Sequence, residues 1–326
     1  MNKLAESYER EVLGFDMDKE VDSICSKMRQ SMRDELHRRG AVVAVSGGID
    51  SSVCAALSVK AFGPSKTFLI QLPETDSAKH TQSRSDELIA LLGTEHTSLN
   101  IAPVLEAIGC YQARDEAIRQ VFPEYQDDWK NKIVLRGGME GKINYFMLVA
   151  QKPDGSTVEE RLAIKQYLQI VAATNYKQRI RKTVEYFHAD RLNYAVIGTP
   201  NRLEYDQGFF VKNGDGAADL KPIAHLYKTQ VYALARHLGL PPSICDAEPT
   251  TDTYSMPQGQ DEFYFGLHYQ QMDVALWAYN HDFSAADLAE YLAVPESRAI
   301  HIYKDIETKR KTTQYLHLKP VLIEQV

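Results

Sequence analysis

Apolar residues recur at helical spacing from about Asp16 to Arg39, at Val21, Ile24, Met28, Met32 and Leu36, and Gly40 stands where such a helix should stop. The next five residues, Ala41-Val42-Val43-Ala44-Val45, are continuously apolar, as expected of a strand buried on both faces. That run ends in Ser46-Gly47-Gly48-Ile49-Asp50-Ser51-Ser52, after which Val53 to Phe62 reads as a helix. The alternation then repeats. Thr67 to Leu72 is a strand, Ala78 to Leu92 a helix closed by Gly93, and His96 to Ile101 a third strand; later, Tyr176 to Phe187 is a helix and Tyr194 to Gly198 another buried strand. Strands alternating with helices predict an α/β fold built on a doubly wound parallel sheet. Ligands of such sheets bind beyond the carboxyl ends of the strands, where Ser46 and Thr199 fall.

The alternation breaks between about 120 and 169. Trp129, Lys130, Lys132, Arg136-Gly137-Gly138, Gly141 and Pro153-Asp154-Gly155 punctuate short apolar stretches there, which predicts an inserted hairpin or lid. Leu226 to Leu240 is a helix ending at Gly239-Leu240-Pro241-Pro242. Phe283 to Ala289 begins a capped helix, and Val294-Pro295-Glu296 begins another. The expected organisation is one main domain over 1–265 containing the insertion, followed by a small helical C-terminal cap over 266–326 that closes the site.

Composition narrows the function classes. The 326 residues are 44% hydrophobic and 25% charged, enough for a substantial core. A formal charge of -7 argues against a protein that grips nucleic acid. Cys25, Cys54, Cys110 and Cys245 are widely separated, without a zinc-ligand or disulfide pattern, and the ten histidines form no ligand-spaced cluster. The N-terminal residues lack the apolar segment of a signal peptide, and no apolar run approaches the roughly 20 residues of a membrane span. A cytoplasmic enzyme is the expectation.

The loop after the first strand carries the most specific chemistry. Gly47 and Gly48 allow the backbone to approach an anion closely, the following helix offers free N–H groups, and Ser46, Ser51 and Ser52 add hydroxyls. Asp50 can hold the magnesium that accompanies a polyphosphate. A plain glycine turn joining strand to helix is the bland alternative, but the full S-G-G-x-D-S-S string in this context favours a phosphate site. It is neither a Walker A loop nor G-x-G-x-x-G. A second glycine-rich stretch after Gly198-Thr199-Pro200 carries Glu204, Lys212, Asp215 and Asp219, polar groups of both signs that suit a divalent metal and an anionic ligand.

The first loop resembles the pyrophosphate-binding motif of the N-type ATP pyrophosphatases, which implies an adenine nucleotide alpha hydrolase-like fold and cleavage of ATP between its α and β phosphates. From Val196 to Pro241 the chain resembles the ammonia-dependent NAD synthetases, above all in G-F-F-x-K-x-G-D-G-x-x-D-L-x-P. That resemblance implies ATP contacts at Ser46, Gly47, Gly48, Asp50, Ser51, Ser52, Thr199, Lys228 and Thr250, with Lys228 neutralising phosphate charge. It places Mg2+ on Asp50 and Glu204, deamido-NAD on Arg179, Lys212, Asp219, Thr308 and Lys309, and ammonia beside Asp215. Asn175-Tyr176-Lys177-Gln178-Arg179, Pro249-Thr250 and Glu307-Thr308-Lys309-Arg310 carry parts of it. The implied reaction is amidation of a carboxylate through an acyl-adenylate, releasing AMP and pyrophosphate, with Asp50, Asp215 and Lys228 as catalytic residues. The resemblance also implies a homodimer with the acceptor site at or near the interface.

The pattern departs at three places: Pro200-Asn201-Arg202 replaces D-H-A, Thr308 replaces a histidine, and Phe263 and Tyr264 take positions expected to be acidic. They leave room for a different acceptor, such as nicotinate mononucleotide or an acid of a specialised pathway. Two other readings compete. A tRNA-modifying ATP pyrophosphatase shares the loop but needs a broad basic surface or catalytic cysteines, and the C-terminal helices could pass for a helix-turn-helix. No glutaminase region is evident, so nitrogen is expected from free ammonia or from a separate glutaminase.

Overall fold

The computed structural model describes residues 3–137, 145–251 and 253–324. Helix α1 (Met17–Ser31) begins where Asp16 accepts the Lys19 amide at 3.0 Å, an N-cap bond. A π turn carries it to Leu36, and it ends at His37, which adopts the left-handed conformation at φ 50°. Gly40 is therefore not the helix stop. It is required for close approach instead, since a Cβ there would stand 2.3 Å from the Lys66 carbonyl oxygen and 2.7 Å from the Tyr194 ring.

The strands are β1 (Ala41–Ala44), β2 (Thr67–Gln71), β3 (Glu95–Ser98), β4 (Lys130–Arg136), β5 (Tyr145–Gln151), β6 (Thr157–Arg161) and β7 (Ala195–Val196). One sheet has the order β3-β2-β1-β7, with every pair parallel. Alternate residues of its strands serve opposite cores: Val42, Phe68, Ile70 and Val196 on one face, Ala41, Val43 and Leu69 on the other. Both faces are covered, so β1 and β2 carry no polar alternation. Helix α2 (Ile49–Phe62) starts four residues earlier than the spacing predicts, inside the serine-glycine loop. Helix α3 (Lys79–Leu92) closes at the left-handed Gly93 as expected.

Helix α4 (Ile164–Leu192) is much longer than the predicted Tyr176 to Phe187 segment. Its first turns lie under the second sheet, antiparallel β4-β5-β6, where Tyr167 stacks on Phe146 with ring centroids 4.3 Å apart. Residues 164–169 thus belong to the helix. The inserted element is a three-stranded sheet whose core includes Trp129, Ile133 and Leu148; Gly138 and Gly141, read as turn punctuation, lie outside the described residues.

Among the helices that bear on the site and the C-terminal core are α5 (Arg202–Gln207), α6 (Lys228–His237), α7 (Tyr269–Asn280), α8 (Ala285–Leu292) and α9 (Glu296–His317). The two C-terminal helices that resembled a helix-turn-helix bury Leu288, Ala289, Ala299, Ile302 and Ile306 in a core shared with Leu4, Tyr8 and Val12. A Ser284 capping box starts α8, and the left-handed Ala293 ends it at the joint with α9.

One buried carboxylate ties this C-terminal core to the parallel-sheet domain. Asp273 of α7 accepts the amides of Lys228 at 3.2 Å and Thr229 at 2.7 Å, filling the N-terminus of α6. Burial raises its pKa from 3.8 to about 7, against the pull of the Thr229 and Lys228 amides. A carboxyl group whose pKa is higher in the folded state favours the fold at low pH and loses that contribution as pH rises. Stability should therefore fall from about pH 4 to about pH 7 by up to about 1.4 kcal/mol per pH unit from this group. Denaturant titrations across that window should show a shallower slope in Asp273→Asn than in the wild type, by up to that amount; equal slopes would contradict the assignment.

Candidate active site

The carboxyl ends of β1, β2 and β7 open onto one cavity of about 790 Å³, within the usual range for a small-molecule site. Its floor is the loop from Ser46 into α2. Gly47 has φ +75°, and a Cβ there would lie 2.3 Å from the Thr81 carbonyl oxygen, so both conformation and space demand glycine. Gly48 is the N-cap residue and contributes no side-chain cap, which leaves the first-turn amides of a fourteen-residue helix facing the cavity side.

The three serines are not equivalent. Ser46 and Ser51 line the cavity, their hydroxyl oxygens 3.4 Å apart. Ser52 is fully buried and donates to the Gly48 carbonyl at 2.8 Å, so it braces the loop from beneath. The sequence reading of Ser52 as a ligand donor misses this because loop position does not tell which way a hydroxyl turns once the residue is helical.

Three charged groups converge above the loop. The Lys228 ammonium donates to one oxygen of Asp50, while the other oxygen accepts from the Asn201 amide at 3.0 Å. Lys228 is 1% exposed. Burial disfavours its charged form, but Asp50 and Glu204 more than offset this and hold its pKa above the ordinary lysine value. Burial, reinforced by Asp50, raises Glu204 to about 7 even though Lys228, the Asn201 amide and Gln260 favour its charge. The Glu204 oxygens accept from the Asn201 backbone at 3.1 Å and from Gln260 at 2.9 Å. Asn201 also caps α5 through its side chain, at 2.9 Å to the Leu203 amide and 3.2 Å to Glu204. The departure at Pro200-Asn201-Arg202 is thus a working cap that orients both carboxylates.

Thr199, Thr250, Arg179, Lys212 and Asp215 also line the cavity. Arg179 donates to the Lys212 carbonyl at 3.3 Å, and the Lys212 ammonium is held by the carbonyls of Tyr315 at 2.7 Å and Leu318 at 3.2 Å. Asp215 accepts the Val211 amide at 2.7 Å, and burial raises its pKa. The other predicted acceptor residues lie elsewhere. Asp219 accepts from the Val196 amide at 2.7 Å and the Tyr186 hydroxyl at 3.2 Å, outside the cavity wall. Thr308 donates to the Lys304 carbonyl, and Lys309 pairs with Asp305 beneath the Tyr264 ring, 4.8 Å from its centroid. Next to them, Arg310 grips Asp206 through two bonds of 2.7 Å, so this segment fastens the helix that carries Glu204. Thr313, Tyr315 and Leu316, one to two turns further on, reach the cavity instead.

Sequence reasoning missed a second charged group at the rim. Lys177 is 1% exposed and bonds Asp76 at 2.6 Å, Glu74 at 3.1 Å and the Thr253 carbonyl at 3.0 Å. Arg114 joins it through Asp76 at 2.8 Å. Glu74 and Asp76 follow β2 at its carboxyl end, and that position was the available signal. Lys182 and Glu185, paired at 2.7 Å in the cavity wall, were missed because both read as ordinary helical surface residues.

Asp50 and Glu204 together offer hard carboxylate oxygens on one wall, and their mutual repulsion is relieved by any cation between them. The donor set fits Mg2+.

Known proteins align with this arrangement. The family model described as NAD synthase matches residues 20–126 and 145–315. The "NH(3)-dependent NAD(+) synthetase" of Rhizobium rhizogenes is 49% identical over 318 residues, covering 97% of this chain and 96% of the relative. That of Mesorhizobium japonicum is 49% identical over 316 residues, covering 97% and 99%. Two solved structures share the fold: NMN synthetase from Francisella tularensis (TM-score 0.65, 23% identity, 94% of this chain and 98% of that one) and the NH3-dependent NAD synthetase from Campylobacter jejuni (TM-score 0.62, 21% identity, 95% and 100%). With the matched residues running through the glycine loop, the α5 carboxylate and the Lys228 helix, the chain belongs to the NAD synthase family.

Proposed function

We propose that this chain is an ammonia-dependent NAD synthetase: it converts deamido-NAD, ATP and ammonia to NAD, AMP and pyrophosphate. The observation that supports this most is the cluster of Asp50, Glu204 and Lys228 above a glycine loop at a helix N-terminus, in a chain 49% identical over nearly its whole length to relatives of that name. In this reading the loop amides and Lys228 hold the triphosphate, and Thr199 and Thr250 contact the nucleotide. Asp50 and Glu204 would hold Mg2+, which supplies further charge compensation on the phosphates.

The substrate carboxylate attacks the α-phosphorus, the bond to the β-phosphate oxygen breaks, and pyrophosphate leaves. Ammonia then adds to the acyl carbon of the adenylate, and AMP departs with the C–O bond electrons. The chain contributes position and electrostatics and no covalent nucleophile. Arg179 and Lys212 are the proposed acceptor contacts within one chain, and half-buried Asp215 on the cavity wall is the group proposed to orient ammonia or take its proton. Free ammonia is sufficient for this scheme, and a separate glutaminase could deliver it.

The likeness to NMN synthetase, at 23% identity, speaks to the fold, whereas three relatives at 49% identity are named for NAD. Purified protein with ATP, magnesium and ammonium should form NAD and AMP from deamido-NAD, and Asp50→Asn should lower kcat/KM by roughly two orders of magnitude or more. Amidation of nicotinate mononucleotide in preference to deamido-NAD, followed by mass spectrometry, would overturn the substrate assignment.

We infer further that the protein is a homodimer joined through α4. Ile164, Leu168, Tyr176 and Phe187 are exposed by 70, 56, 39 and 61% on one broad side of that helix, which also carries Arg179. The acceptor contacts outside the cavity, Asp219, Thr308 and Lys309, are then the ones to examine against a second copy. Sedimentation should give a dimer for the wild type and mainly monomer for Leu168→Asp/Phe187→Asp; a monomeric wild type would contradict this reading.

A further inference from the structure

The family match omits residues 127–144, and that gap contains all of β4. β4 is also the strand that touches the segment 253–263, one wall of the cavity. Ser255 accepts the Asn131 amide at 2.8 Å, and the Met256 amide donates to the Asn131 carbonyl at 3.1 Å. Lys132 reaches both oxygens of Glu262 at 2.8 and 2.7 Å and the Pro257 carbonyl at 3.4 Å. Tyr254 and Phe263 from the same segment pack into the core of the inserted sheet with Trp129 and Ile133.

The held segment in turn touches the nucleotide wall at two points. Gln260, two residues from Glu262, donates to Glu204 at 2.9 Å. The Thr251 amide donates to the Gln258 carbonyl at 2.9 Å, and Thr250 bridges to Gly259, so Thr250 takes its place from the same residues. Side-chain exposures of 15% for Lys132 and 31% for Glu262 mean that this pair is shielded more than an ordinary surface ion pair. Removing one partner leaves the other charge half-buried without compensation.

We propose that β4 is a positioning strand for the nucleotide site, setting residues 253–263 through the Lys132–Glu262 pair and thereby placing Gln260 on Glu204 and Thr250 at the cavity. It rests on the reading of this cavity as an ATP site. The inserted sheet is then part of the machinery that shapes the site, although none of its own strands lines the cavity.

Hydrogen exchange and calorimetric ATP–magnesium binding on the full chain test it, with Lys132→Ala, Lys132→Glu, Glu262→Lys and the double swap Lys132→Glu/Glu262→Lys. Each single variant should speed exchange in 253–263 by about tenfold while β1, β2 and α2 exchange as in the wild type, and should weaken ATP by about tenfold. The swap should restore both. A merely structural loss would speed exchange throughout the chain and would not be rescued. Wild-type-like exchange or affinity in the single variants, or failure of the swap to restore them, overturns the proposal while leaving the ATP site intact. Absence of ATP binding by the wild type instead overturns the reading on which it rests.

Discussion

A lysine only 1% exposed against a carboxylate is expensive unless both charges are fully partnered, and the Lys228–Asp50 pair sets much of what surrounds it. The pair joins two helix N-termini, that of α2 and that of α6, at the mouth of the parallel sheet. Each charge needs a second support. Asp50 receives Asn201, the cap of the helix that brings Glu204, and the first turn of α6 is fixed by Asp273 from the C-terminal helices. Glu204 lies close enough to raise the lysine and to be raised by Asp50. The lysine therefore occupies the position that offsets two carboxylates; in the proposed function Mg2+ arriving with the ATP phosphates would add to that compensation.

Much of this was legible in the chain. The continuous apolar run at Ala41–Val45 announced a doubly covered strand, Thr67–Leu72 read as its neighbour in a parallel sheet, and Gly93 and Ser284 marked helix ends where the structure has them. The glycine loop after β1 was legible because its requirements are local: a left-handed Gly47 pressed against Thr81 can be nothing larger. Gly40 shows the opposite case. Glycine at the end of a helical pattern suggested a cap, but the cap is His37 and the glycine answers to Tyr194, more than 150 residues away.

What stayed hidden depends on contacts between distant segments. The ring of Lys177, Glu74, Asp76 and Arg114 joins three stretches of chain, and none of those residues has a local pattern that distinguishes it from a solvated charge. The same holds for Lys309 and Arg310: their motif pointed to substrate, yet in the single chain their partners are Asp305 and Asp206. Asn201 read as a departure from the family pattern, and only its geometry shows one side chain serving as a helix cap and as a donor to Asp50. The insertion was visible as a break in periodicity, but its sheet and its grip on residues 253–263 come from pairings that no window of sequence contains.

Asp50, Glu204 and Lys228 are proposed to form one nucleotide–metal centre. Crystals grown with Mn2+ and a non-hydrolysable ATP analogue would test it most directly by anomalous scattering. A manganese peak shared by the Asp50 and Glu204 carboxylates is expected, with the phosphates over Gly47–Ser51. A peak on other residues, or phosphates bound away from that loop, would contradict it.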